Sequence, residues 1–113
     1  MESTVRKQNG ITVVELEGEL DIYSTTALKA IIKDQLGGGS KRMLLDLKDV
    51  GYVDSAALGV LVGGLKRAKE VSAELKLSNI NGPVAKIFKL TKLSEFFDIY
   101  NSSDEAIESF TTN

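Results

Sequence analysis

The sequence predicts an α/β fold: a mostly parallel mixed sheet that opens with an N-terminal hairpin and carries four helices packed on it. Three observations lead there. Segments of strand-like and helix-like apolar spacing take turns along the chain. An Asn-Gly pair separates the first two strand-like segments. The chain has 113 residues, and a domain usually has about 100–200. The resulting order, β-β-α-β-α-β-α-β-α, implies parallel strands linked by helices. One domain is expected over 1–113, with its core over about 4–110.

Each element has a local reason. Asn9-Gly10 joins a strand at Thr4–Lys7 to one at Ile11–Gly18, because a tight hairpin turn needs two positive φ angles. Val14 and Leu16 alternate with Glu15 and Glu17, the period of a half-buried strand. Glu19–Ser24 is read as a loop. A helix follows over about Thr25–Leu36, with Leu28, Ile31, Ile32 and Leu36 on one face and Ser24 or Thr25 as its cap. Gly37-Gly38-Gly39 ends it, since glycine takes the left-handed terminal conformation freely. Met43–Leu47 is apolar on both faces except for Asp46, so it is a buried central strand. Lys48–Asp54 is read as a short loop. The next helix covers about Ser55–Val71, with Leu58, Leu61, Val62, Leu65 and Ala68 inward. Leu75–Ser78 is a strand, and Asn81-Gly82-Pro83 opens a third helix whose apolar face is Val84, Ile87 and Phe88. Phe97–Tyr100 is a short strand. Ser102 and Glu105 have capping-box spacing before a last helix with Ile107 and Phe110 inward.

Composition excludes several chemistries. Cysteine and histidine are both absent, so disulfides, thiolates, Ser–His dyads and histidine-ligated metals are impossible. Fourteen Lys and Arg against sixteen Asp and Glu give a net charge of −2, without the basic excess of a nucleic-acid binder. The longest apolar run is Ala56–Leu65, against about 20 residues for a membrane span. The N-terminus lacks a basic-then-apolar signal. A cytoplasmic protein without cofactor or metal is expected.

The segment that can carry chemistry is Asp54-Ser55-Ala56-Ala57-Leu58-Gly59, which opens a helix after a buried strand. A side chain there meets free backbone amides and the positive end of the helix dipole, a place that tolerates a phosphate. The commoner role of Asp54 or Ser55 in such a place is a helix cap. A nucleophilic serine needs a general base, and Lys66 and Lys69 lie three turns or more further along. Gly37-Gly38-Gly39-Ser40-Lys41 has the composition of a phosphate loop, but its order and its helix-to-strand context are wrong. Gly59 and Gly63 share a helix face, and close packing on the protein's own sheet is the expected reason. Gly64 adds to the helix-propensity cost. Lys86, Lys89 and Lys92 suggest a solvated basic stripe on the third helix.

These residues resemble a known family. Asp54-Ser55-Ala56-Ala57-Leu58-Gly59 is similar to the phosphorylation segment of STAS-domain anti-sigma factor antagonists, Asp-Ser-(Ser, Thr or Ala)-Gly-Leu-Gly. Gly18-Glu19-Leu20-Asp21, Leu44-Leu45-Asp46-Leu47, Leu90-Thr91-Lys92-Leu93 and Phe97-Asp98-Ile99-Tyr100 resemble further family segments in the same order. The resemblance implies a single-domain STAS-like fold and a bacterial partner switch. The unmodified antagonist binds an anti-sigma factor with serine kinase activity and frees a sigma factor. Phosphorylation, here at Ser55, ends the binding, and a serine phosphatase restores it. The implied partner surface comprises Asp21, Tyr23, Ser24, Asp54, Ser55, Ala56, Ala57 and Gly59. Ala57 stands where the family carries glycine, which adds a methyl group to that surface. The other implied role is a STAS module in a stressosome-like or lipid-transport complex that uses the same face without switching. No enzyme activity, direct nucleic-acid contact or membrane span is expected.

Overall fold

The computed structural model describes residues 1–111. Strands β1 (Glu2–Gln8) and β2 (Ile11–Leu20) form the N-terminal hairpin, antiparallel with Gln8 opposite Ile11. Asn9 and Gly10 supply the turn, with φ of 54° and 77°. From β2 onward all pairings are parallel: β3 (Arg42–Val53) lies beside β2, β4 (Glu74–Ser78) beside β3, and β5 (Asp98–Tyr100) beside β4. Order in the sheet therefore equals order in the chain.

The crossovers are α1 (Thr25–Gly37), α2 (Ser55–Glu70) and α3 (Gly82–Leu90). Right-handed crossovers that all step in one direction place their helices on one face. The last described helix, α4 (Ser103–Thr111), covers the other face. Successive strand residues point to opposite faces, and the two cores follow from that. Val14 and Leu45 pack with Leu28, Leu61 and Phe88 of the three crossover helices. Their neighbours Val13 and Leu44 pack with Ala106, Ile107 and Phe110 of α4. The expected capping contact at α4 is present, with the Glu105 amide donating to Ser102 Oγ at 3.1 Å. Gly39, at φ 96°, supplies the left-handed residue after α1.

The structure corrects five readings. Lys48–Asp54 is not a loop, because β3 continues to Val53. Between Glu15 and Glu17 of β2 the paired β3 residues advance from Asp46 to Asp49, and between Gly18 and Glu19 they advance from Val50 to Tyr52. Each shift puts one extra residue into β3, and such bulges erase the two-residue alternation by which a strand is recognised. Likewise β2 runs on to Leu20, which leaves only Asp21–Ser24 as loop. Ser24 precedes α1 but its side chain makes no cap hydrogen bond, because the hydroxyl is used inside the loop. Lys92 lies beyond α3 in a left-handed turn at φ 62°, so it does not extend the Lys86–Lys89 stripe. Finally, a Cβ at Gly59 or Gly63 would meet nothing within 4 Å. Of the glycines in this helix, only Gly64 sits at a close contact, where a Cβ would lie 3.0 Å from Ile32 Cδ1 of α1.

Candidate functional site

β2 and β3 end level with each other, Leu20 opposite Val53. Both segments thus leave the carboxyl ends of neighbouring parallel strands side by side. The Asp54 amide donates to the Leu20 carbonyl at 3.0 Å, which seals the two exits together. The loop Asp21–Ser24 and the first turn of α2 are neighbours for that reason.

Asp54 has an extended backbone, as an N-cap residue should. Its Oδ1 accepts from the Ala57 amide at 2.9 Å, which satisfies one free donor of the helix start. Its Oδ2 accepts from the Ile22 amide at 3.0 Å and so ties the loop to the helix. One carboxylate fixes both halves of the site. The cap role belongs to Asp54, and Ser55 is left over. Ser55 is the first helical residue, is exposed, and has no side-chain hydrogen bond to another described residue.

The loop is built by its own polar groups. Asp21 Oδ1 accepts from the Tyr23 amide at 3.0 Å, a turn that aspartate favours. Ser24 Oγ accepts from the Asp21 amide at 2.9 Å and donates to the Asp21 carbonyl at 3.0 Å. Thr25 Oγ1 donates to the Ile22 carbonyl at 3.0 Å. With its backbone held in this way, the loop turns two large apolar side chains outward: Ile22 is 63% exposed and Tyr23 is 93% exposed.

Of the residues expected at the partner surface, Asp21, Tyr23, Asp54, Ser55, Ala56 and Gly59 gather around these strand ends with at least partial exposure. Two do not offer a surface. Ser24 is buried, and its hydroxyl shapes the loop from inside. Ala57 is fully buried in the large core, so its methyl group is not on the surface. Sequence reasoning missed Ile22, although an apolar residue between the polar loop residues Asp21 and Ser24 was a visible signal. Tyr52, 45% exposed two residues before Asp54, was missed because its strand was read as a loop.

The charge around Ser55 is negative from Asp21 and Asp54, and the α2 N-terminus supplies the positive pole. Among the described residues no group of three acidic side chains is placed to hold a metal ion.

A family model described as the STAS domain matches residues 2–106. The chain is 34% identical over 103 residues to the anti-sigma-B factor antagonist of Bacillus subtilis (strain 168), spanning 90% of this chain and 94% of that protein. The chain belongs to the STAS-domain family of anti-sigma factor antagonists. Among solved structures, a Thermotoga maritima protein matches this STAS domain with a TM-score of 0.92 at 27% identity, covering 97% of this chain and 95% of that one. The Bacillus cell fate determinant SpoIIAA in its phosphorylated form matches at a TM-score of 0.75 and 20% identity, covering 96% and 99%, a likeness of fold. No helix among the described residues of this STAS domain is long and apolar enough to cross a membrane.

Proposed function

We propose that this protein is an anti-sigma factor antagonist switched by a phosphate on Ser55. Unmodified, it binds an anti-sigma factor with serine kinase activity and frees a sigma factor. The kinase transfers the γ-phosphoryl group of ATP to Ser55 Oγ and binding ends, and a serine phosphatase restores it. The protein is then a kinase substrate and binding module of the cytoplasm, not an enzyme. The observation that carries the reading is the division of labour at the α2 start. Asp54 does the capping, which leaves an exposed serine hydroxyl with no structural duty beside two exposed apolar side chains.

The energetics suit a switch at the interface. A phosphate adds about −1.5 to −2 charges. Facing a partner carboxylate at 4 Å, one charge pair costs about 4 kcal/mol at an effective dielectric of 20 and about 1 kcal/mol in bulk water. That corresponds to a roughly fivefold to thousandfold loss of affinity. Within the domain, the helix dipole favours the phosphate by about 0.3–1 kcal/mol, and the neighbouring Asp54 opposes it. These internal contributions nearly cancel, so the fold stays as it is. The test uses purified protein and a Ser55→Asp variant as baits in lysate of the source cells. An ATP-binding serine kinase held by the first and lost from the second is the expected result. Identical catches would leave Ser55 without a switching role.

A further inference from the structure

Helices α1 and α2 touch where Ile32 meets Gly64, and beside that contact they part to leave an open groove of about 450 Å³. It runs along α2 from Ala56 to Arg67, a length of about 16 Å at 1.5 Å per helical residue. Two exposed glycines of α2 line it. A Cβ at Gly59 or Gly63 would enter empty space, whereas one at Gly64 would press on Ile32. A mid-helix glycine costs about 1 kcal/mol against alanine. Gly64 recovers that cost in packing, but Gly59 and Gly63 recover nothing from the protein itself.

The groove is chemically one-sided. The floor and walls are apolar, from Ile32, Val60 and the glycines. The lips carry Lys29 and Lys33, one turn apart on α1, and Arg67 on α2. No carboxylate lines the groove, and none of these three cations has an ion pair among the described residues. A volume of this size, mostly apolar with a few charged groups in its lining, is in the range of a small-molecule site.

We propose that this groove binds a small anionic amphiphile, its apolar tail along Gly59 and Gly63 and its anionic head between the lysines and Arg67. The groove borders the surface around Ser55, sharing Ala56 and Gly59 with it, but the inference does not depend on a phosphate at Ser55.

Dodecanoate below its micelle concentration is the probe, followed by amide resonances of the labelled protein. The controls are acetate, which has the head alone, and dodecyltrimethylammonium, which has the tail with a cationic head. Saturable shifts confined to α1 and α2 are expected, with dodecanoate at least tenfold tighter than either control. Gly63→Leu fills the groove from an exposed helix position and should abolish the shifts while the circular dichroism stays unchanged. The double variant Lys29→Glu, Lys33→Glu should weaken binding at least tenfold. Absence of saturable binding, equal binding of the cationic amphiphile, or full binding by Gly63→Leu overturns the proposal. So does sedimentation with phosphatidylglycerol vesicles in the absence of dodecanoate binding, which would make the groove a membrane contact. Loss of a protein partner on Gly63→Leu, again without dodecanoate binding, would make it a helix-docking surface and equally overturn the proposal.

Discussion

Replacing Asp54 separates its two jobs. In Asp54→Ala both accepted hydrogen bonds vanish, from the Ala57 amide at 2.9 Å and the Ile22 amide at 3.0 Å. Loss of an N-cap costs about 1 kcal/mol. A hydrogen bond to a charged group contributes roughly 1.5–3 kcal/mol, and partial exposure places the loop contact at the low end. The sum is about 2–3 kcal/mol. At about 4 °C per kcal/mol for a domain of this size, the melting temperature should fall by about 8–12 °C. In Asp54→Asn the amide oxygen still caps α2, since asparagine caps as well as aspartate. Its other atom is an NH2 donor and meets the Ile22 amide donor head-on, so only the loop contact is lost. That variant should lose about 1.5 kcal/mol. Hydrogen exchange distinguishes the two residue by residue. The Ile22 amide should exchange faster in both variants, and the Ala57 amide faster only in Asp54→Ala. Unchanged protection at Ile22 in either variant would refute the claim that one carboxylate ties the loop to the helix.

Three further outcomes follow from particular contacts. Gly63→Ala should stabilise the protein by about 1 kcal/mol, because its Cβ enters open space; Gly64→Ala should gain less, because its Cβ would lie 3.0 Å from Ile32 Cδ1, and paired urea titrations check the ranking. Lys76 is buried beneath α4, with Nζ 2.9 Å from Ser109 Oγ and 4.4 Å from the Phe110 ring centroid. Lys76→Ala should therefore loosen α4 by about 1–2 kcal/mol, seen as faster amide exchange in that helix with the α1–α3 core unchanged. Phosphorylated Ser55 should shift amide resonances only in Asp21–Ser24 and the first turn of α2, and large shifts across the sheet would contradict a switch that leaves the fold intact.

The fold was legible where local patterns are strong. Asn9-Gly10 marks the hairpin, helical spacing marks α1 and α2, and Ser102 with Glu105 marks the start of α4. The second half of β3 was not legible, since two bulges shift its register and Lys48, Asp49, Gly51 and Tyr52 face solvent. Pattern reading sees alternation, and a bulge removes it. The site was legible as a segment but not as a geometry. The cap from Asp54 to the Ala57 amide is local, but the second contact of the same carboxylate reaches the Ile22 amide, thirty-two residues earlier. The burial of Ser24 and Ala57 depends on the folded loop and core. Gly59, Gly63 and Gly64 are alike in sequence, and only their surroundings separate one packing contact from two openings.

The proposed switch requires that a negative group on Ser55 end partner binding at the surface. Its most direct test is the affinity of the captured serine-kinase anti-sigma factor for wild type, Ser55→Ala and Ser55→Asp, measured by titration calorimetry. Near-equal binding is expected for the first two and a loss between roughly fivefold and thousandfold for Ser55→Asp, with the melting temperature of the variant unchanged. Equal affinity of all three proteins would contradict it.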